Sequence, residues 1–159
     1  MAPVDPEHVI RLQHFVPYRL AVLAEQISRA LATDYAERFS LTRPEWRVLA
    51  ALGEHGEMAG TDIARFSALD KMAVSRAVAA LQERGCLTRH DDPQDRRHKR
   101  LRLTPRGRAL YRRIVPLALA RERFLLDALP AQDRAALPRI LAALQRRAAE
   151  LDGLDETAP

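Results

Sequence analysis

Cysteine is nearly absent from this chain of 159 residues, glycine is scarce, and no long apolar run occurs. The single cysteine, Cys86, cannot close an internal disulfide, so nothing argues for an oxidising compartment. No stretch approaches the roughly 20 apolar residues that cross a bilayer, and the opening MAPVDPEHVI lacks the charged, apolar and cleavage regions of a signal peptide. The expectation is a cytoplasmic protein without a membrane partner. Six glycines leave little material for phosphate cradles, and no P-loop, GxGxxG, HExxH or GxSxG motif is present. His55, in EHGE, has no second His or Cys at ligand spacing. We expect no enzyme, no cofactor and no metal site.

What is present is arginine, and it is unevenly placed. The chain has 24 Arg and only two Lys, Lys71 and Lys99. Residues 89–113 hold ten Arg or Lys against three Asp, whereas the rest of the chain holds 16 against 18. A generally arginine-rich composition explains Arg over Lys but not this clustering. A local basic excess is the footprint of polyanion binding, because neutralising phosphates releases condensed counterions.

Hydrophobic residues make up 47% of the chain, enough to bury the core of one domain over residues 1–159. Helical spacing runs through Leu12, Phe15, Leu20, Leu23, Ile27, Leu31, Tyr35 and Phe39. Asp5 and Pro6 suit its start, and Pro17 calls for a kink or a division into two helices. TRPE, from Thr42 to Glu45, reads as a capping box opening a helix through Trp46, Val48, Leu49 and Leu52 that ends near Gly53. Two short helices follow. Asp70 caps the second, which buries Val74, Val78 and Leu81 and stops at Gly85. Its opposite face carries Met72, Ser75, Arg76 and Ala79, with Lys71 at the flank, a slim surface of the kind that enters a DNA groove. CLTRH and KRLRLT read as strands of a hairpin turned by DDPQD, with Leu101 and Leu103 facing inward. Thr104 and Pro105 open a long helix with a kink expected at Pro116, Pro130 ends it, and a last helix aligns Leu137, Ile140, Leu141, Leu144 and Leu151.

The stretch TDIARFSALDKMAVSRAVAALQERGCLTRHDDPQDRRHKRLRLTPRGRAL resembles the DNA-binding core of the MarR family of bacterial regulators. VSRAV, then DPQDRR, then LTPRG, in that order, carry the resemblance. It implies a mainly α (α+β) fold of about six helices and a two-stranded wing. A winged helix-turn-helix would span residues 42–103, between dimerisation helices at 5–40 and 104–151. The resemblance also implies a homodimer reading an inverted-repeat operator in double-stranded DNA, most often as a repressor. Lys71, Met72, Ser75 and Arg76 would then face the major groove. In the wing, Asp95 would orient an arginine beside Lys99, and either Arg96 or Arg97 would enter the minor groove. Two departures stand out: Ala59 and Gly60 replace a capping residue, and Ala73 replaces a common threonine.

His14, Tyr18, Arg19 and Trp46 are candidates for an effector cleft, since arginine pairs with carboxylates and aromatic rings stack. The resemblance implies a small aromatic carboxylate there, such as a hydroxylated benzoate or nicotinate. The other reading is that Trp46 fills the core and His14 and Arg19 are solvated. Cys86 raises the alternative of a redox-sensing regulator, against which stands the lack of a second cysteine. A non-specific DNA-packaging protein is the third reading, opposed by the confinement of the basic charge.

Overall fold

The computed structural model describes residues 10–92 and 99–151. The hairpin tip holding Asp95, Arg96 and Arg97 therefore lies outside the described residues, as do Asp5 and Pro6. The architecture is mainly α: six α-helices and a small antiparallel sheet among the described residues. The chain divides into two compact units, one through Pro116 and the other from Leu117 on.

The first unit opens with a 3₁₀ turn, Leu12–His14, and α1, Val16–Phe39. Pro17 occupies the first turn of α1, where its missing N–H costs nothing. The interruption read from sequence is therefore a helix start, with a separate turn before it. Ser40, in the left-handed region, ends α1. Helix α2, Arg43–His55, begins with a complete capping box: the Thr42 side chain accepts from the Glu45 N–H, and the Glu45 carboxylate accepts from the Thr42 N–H at 2.7 Å.

Helix α2 continues two residues beyond Gly53 and stops at Gly56, whose φ of 79° suits glycine. Gly53 lies inside the helix, and Tyr111 leaves no room for a side chain there: a Cβ would sit 2.6 Å from the Tyr111 ring. His55 is in the last turn of α2 and meets the Phe66 ring edge-on, with ring centroids 4.5 Å apart.

A three-residue strand, β1 (Glu57–Ala59), leads into α3 (Gly60–Ser67), and α4 (Lys71–Glu83) follows. Strands β2 (Leu87–Asp91) and β3 (Lys99–Leu103) form the expected hairpin, with Leu87 opposite Leu103. β1 adds to the other edge of β3, so the sheet order is β1-β3-β2 and the wing stem is braced by a third strand. Sequence periodicity cannot register three residues as a strand.

Helix α5, Pro105–Leu126, starts with Pro105 in its first turn and Thr104 accepting from the Gly107 N–H at 3.0 Å. The Thr104 hydroxyl also donates to the Gly85 carbonyl, and its N–H donates to the Cys86 carbonyl. Gly107 lies so close to that carbonyl that a Cβ would be 1.9 Å from it. The LTPRG motif thus has a physical reading: Leu103 is a core residue, Thr104 and Pro105 cap α5, and Gly107 lets α5 seat against the end of α4.

Tyr35, Leu41, Leu49, Leu52, Ile63, Val78, Leu81, Leu101 and Ile114 belong to one core in this first unit. The helix α6, Ala131–Leu151, buries no residue and contains Pro138. In the second unit Arg134 pairs with Asp127 at 3.1 Å, joining the start of α6 to the end of α5.

Candidate nucleic-acid interface

Helix α4 is held by its inner face and presented by its outer one. The Asp70 carboxylate accepts from the Ala73 N–H at 2.7 Å, fixing the first turn. Val74, Ala77, Val78 and Leu81 are buried, while Lys71, Met72, Ser75, Arg76 and Ala79 face solvent. Met72 is 66% exposed on this outer face. At the other end of the helix, the Arg84 guanidinium donates to the carbonyls of Phe39 and Ser40, both at 2.8 Å. A helix clamped at both ends and smooth on its outer face can enter a groove without repacking.

Where Arg76 leaves α4, a cavity of about 420 Å³ opens toward the start of α2, lined among others by Pro44, Ala73 and Arg76. Ala73 supplies no hydroxyl there, so the departure noted in the sequence leaves space beside Arg76. Helix α3 lacks a side-chain cap at Ala59, as its sequence suggested. Instead, β1 pairing fixes the backbone that enters it, and the Arg47 guanidinium donates to the Ser67 carbonyl at its far end. Burial, and then the neighbouring Arg43 charge, push the Arg47 guanidinium below its ordinary value.

The hairpin stem explains much of the charge run that attracted attention in the sequence. Asp91 pairs with Lys99, and Asp92 pairs with Arg100 at 2.8 Å. The hydrogen bond that Arg100 donates to Asp92, and then the Asp92 charge, raise the Arg100 guanidinium above its ordinary value. His90 Nε2 lies 2.7 Å from the Glu57 carboxylate, bridging β2 to the edge of β1. Two acids that open the hairpin therefore meet two bases that close it. Lys99, read as a DNA contact, is engaged with Asp91.

Trp46 packs between two tyrosines, with ring centroids 4.9 Å from Tyr35 and 6.2 Å from Tyr111. In the sequence Tyr35 is read only as part of the apolar spacing of the first helix and Tyr111 not at all; only folding brings residues 35, 46 and 111 together. His14, Tyr18 and Arg19 are exposed at the other end of α1. Along the axis of α1, Arg19 is about 24 Å from Tyr35 at 1.5 Å per residue. Within one chain the trio and Trp46 do not converge. Cys86 is buried, its thiol 3.7 Å from the Arg84 carbonyl.

A family model for the MarR family matches residues 39–98, the stretch from the end of α1 to the hairpin. A MarR family transcriptional regulator from Silicibacter pomeroyi is 33% identical, with 87% of this chain and 98% of that one aligned and a TM-score of 0.74. This chain belongs to the MarR family. A MarR/EmrR family regulator from Acinetobacter sp. ADP1 is 26% identical over 89% of this chain and 99% of its own, with a TM-score of 0.81. BpsR of Bordetella bronchiseptica, whose DNA binding is regulated by 6-hydroxynicotinic acid, is 26% identical over 80% and 98%, with a TM-score of 0.67. Among curated relatives, HTH-type transcriptional regulators of Staphylococcus aureus are 26–28% identical, and the chain spans 68% of one and 56% of others. As a member of this MarR family the chain is a DNA-binding transcriptional regulator, not an enzyme.

Proposed function

We propose that the chain acts in the cytoplasm as a homodimeric repressor that binds an inverted-repeat operator and is released by a small aromatic carboxylate. The observation that carries the DNA-reading part is the outer face of α4, where Lys71, Met72, Ser75 and Arg76 stand exposed on a helix pinned by Asp70 and Arg84. Arginine presents a planar fork to guanine, and the small side chains beside it allow close approach. The wing would supply the minor-groove contact through Arg96 or Arg97, oriented by Asp95, and A/T-rich flanks suit it through their narrow, negative groove.

Dimerisation is supported by apolar residues that one chain leaves uncovered. Phe15, Val16, Leu20 and Leu23 are exposed on α1 and the turn before it, as are Ile140, Leu141, Leu144 and Leu151 on α6. Such stripes are the mark of an interface. A two-fold dimer would place two copies of α4 on half-sites about 34–36 Å apart. It would also let His14, Tyr18 and Arg19 of one protomer approach the Trp46 cluster of its partner, which one chain does not allow. The regulation of the similar BpsR by a hydroxylated nicotinate favours an aromatic acid as effector. Binding would then shift the dimer toward a spacing of α4 helices unsuited to successive grooves.

Fluorescence anisotropy with the promoter upstream of the chain's own gene tests this reading. Arg76→Ala should weaken binding by about 1–3 kcal/mol with an unchanged melting temperature, and affinity should fall steeply with salt. Unchanged affinity in Arg76→Ala, or equal affinity for random DNA, would remove α4 from the reading.

A further inference from the structure

The basic residues are not all accounted for by the hairpin and α4. A separate cavity of about 350 Å³ lies in the first unit where the end of α1, the end of α4 and the start of α5 meet. Four arginines line it, Arg38, Arg84, Arg106 and Arg113, over a floor that includes Phe39 and Cys86, and no carboxylate is part of the lining. Among the described residues Arg38, Arg106 and Arg113 make no ion pair, in contrast to Lys99 and Arg100 on the hairpin stem. Arg113 instead places its guanidinium 5.6 Å from the centre of the Phe39 ring.

Like charges gathered around one concavity repel until an anion joins them. Arginine forks match phosphate oxygens in pairs, and the volume is at the lower end of small-molecule sites. One phosphate group, at about −1.5 to −2, would leave about half of the charge of the four arginines uncompensated. From this geometry we infer that the pocket binds a small polyanion carrying a diphosphate group, at a site distinct from both the outer face of α4 and the Trp46 cluster.

The pocket is also placed to affect DNA reading. Arg84 already spends two donors on the carbonyls of Phe39 and Ser40, so it forms the wall that ties the recognition helix to α1. The start of α5, which supplies Arg106 and Arg113, forms another wall, and Thr104 hydrogen-bonds it to Gly85 and Cys86 just past the end of α4. An anion bridging Arg38, Arg106 and Arg113 would draw these walls together and fix the end of α4.

Calorimetry and thermal melting of the full chain with inorganic pyrophosphate, at ionic strength held constant with sodium chloride, test the inference. Pyrophosphate should bind once per chain, more tightly than orthophosphate, and raise the melting temperature through linkage. Arg106→Gln with Arg113→Gln should weaken it by about tenfold or more, and Arg38→Gln, a change on an exposed helix end, should weaken it in the same direction. Arg76→Ala should leave it unchanged. Retained binding in both pocket variants, loss in Arg76→Ala, or disappearance of the effect at constant ionic strength would overturn the site. Displacement of pyrophosphate by a short mixed-sequence duplex would also overturn it, by showing that these arginines serve the DNA backbone.

Discussion

The lobe around α2, α3 and α4 and the helices at the two ends of the chain handle hydrophobic residues in opposite ways. Among the described residues every buried hydrophobic lies between Tyr35 and Ile114, whereas α6 buries none and the first half of α1 exposes its apolar stripe. Burial at roughly 25 cal/mol per Å² of apolar surface is the main favourable term in folding. Among the described residues the favourable burial is thus concentrated between Tyr35 and Ile114, while the first half of α1 and α6 leave hydrophobic surface exposed in the single chain.

The largest expected effect breaks the lobe. Gly107→Ala places a methyl group into the Cys86 carbonyl at the junction of α4 and α5, and backbone atoms cannot step aside. It should cost about 3 kcal/mol or more, seen as a large fall in melting temperature. Next comes Thr42→Ala, which removes one half of the capping box that starts α2 and should cost about 1 kcal/mol in chemical denaturation. The smallest effect concerns Tyr35, the one residue α1 buries. Burial and then the nearby Asp34 charge raise its hydroxyl above the ordinary 10.0. A raised folded value means the contribution is complete below pH 10.0 and is lost as pH rises through the folded value. Thermal stability above pH 10.0 should therefore fall more steeply in the native chain than in Tyr35→Phe.

What could be read from the sequence follows from how local each signal is. The capping box at Thr42, the Asp70 cap, the stop at Gly85 and the start at Thr104 and Pro105 each lie within a few residues, and the structure shows each of them. The outer face of α4 was legible for the same reason, since helical spacing alone decides which side Val74 and Val78 occupy. β1 was not, because its pairing with β3 joins residues some forty positions apart. Gly53 looked like a helix end because its partner, Tyr111, lies on another helix. The arginine pocket gathers residues from 38 to 113. The basic excess over residues 89–113 looks like one patch in the sequence, yet Asp91 and Asp92 engage Lys99 and Arg100 in the hairpin stem. Sequence gives the number of charges, and the fold decides which of them are left for a partner.

The contrast between the lobe and the terminal helices meets its most direct test in sedimentation equilibrium of the full chain beside a Leu20→Glu, Leu144→Glu variant. Both leucines are more than 40% exposed in the single chain, so the substitutions leave the lobe core untouched. A dimer that becomes a folded monomer, with operator affinity lost, is the predicted result. A native chain that sediments as a monomer while binding its operator at full affinity would contradict it.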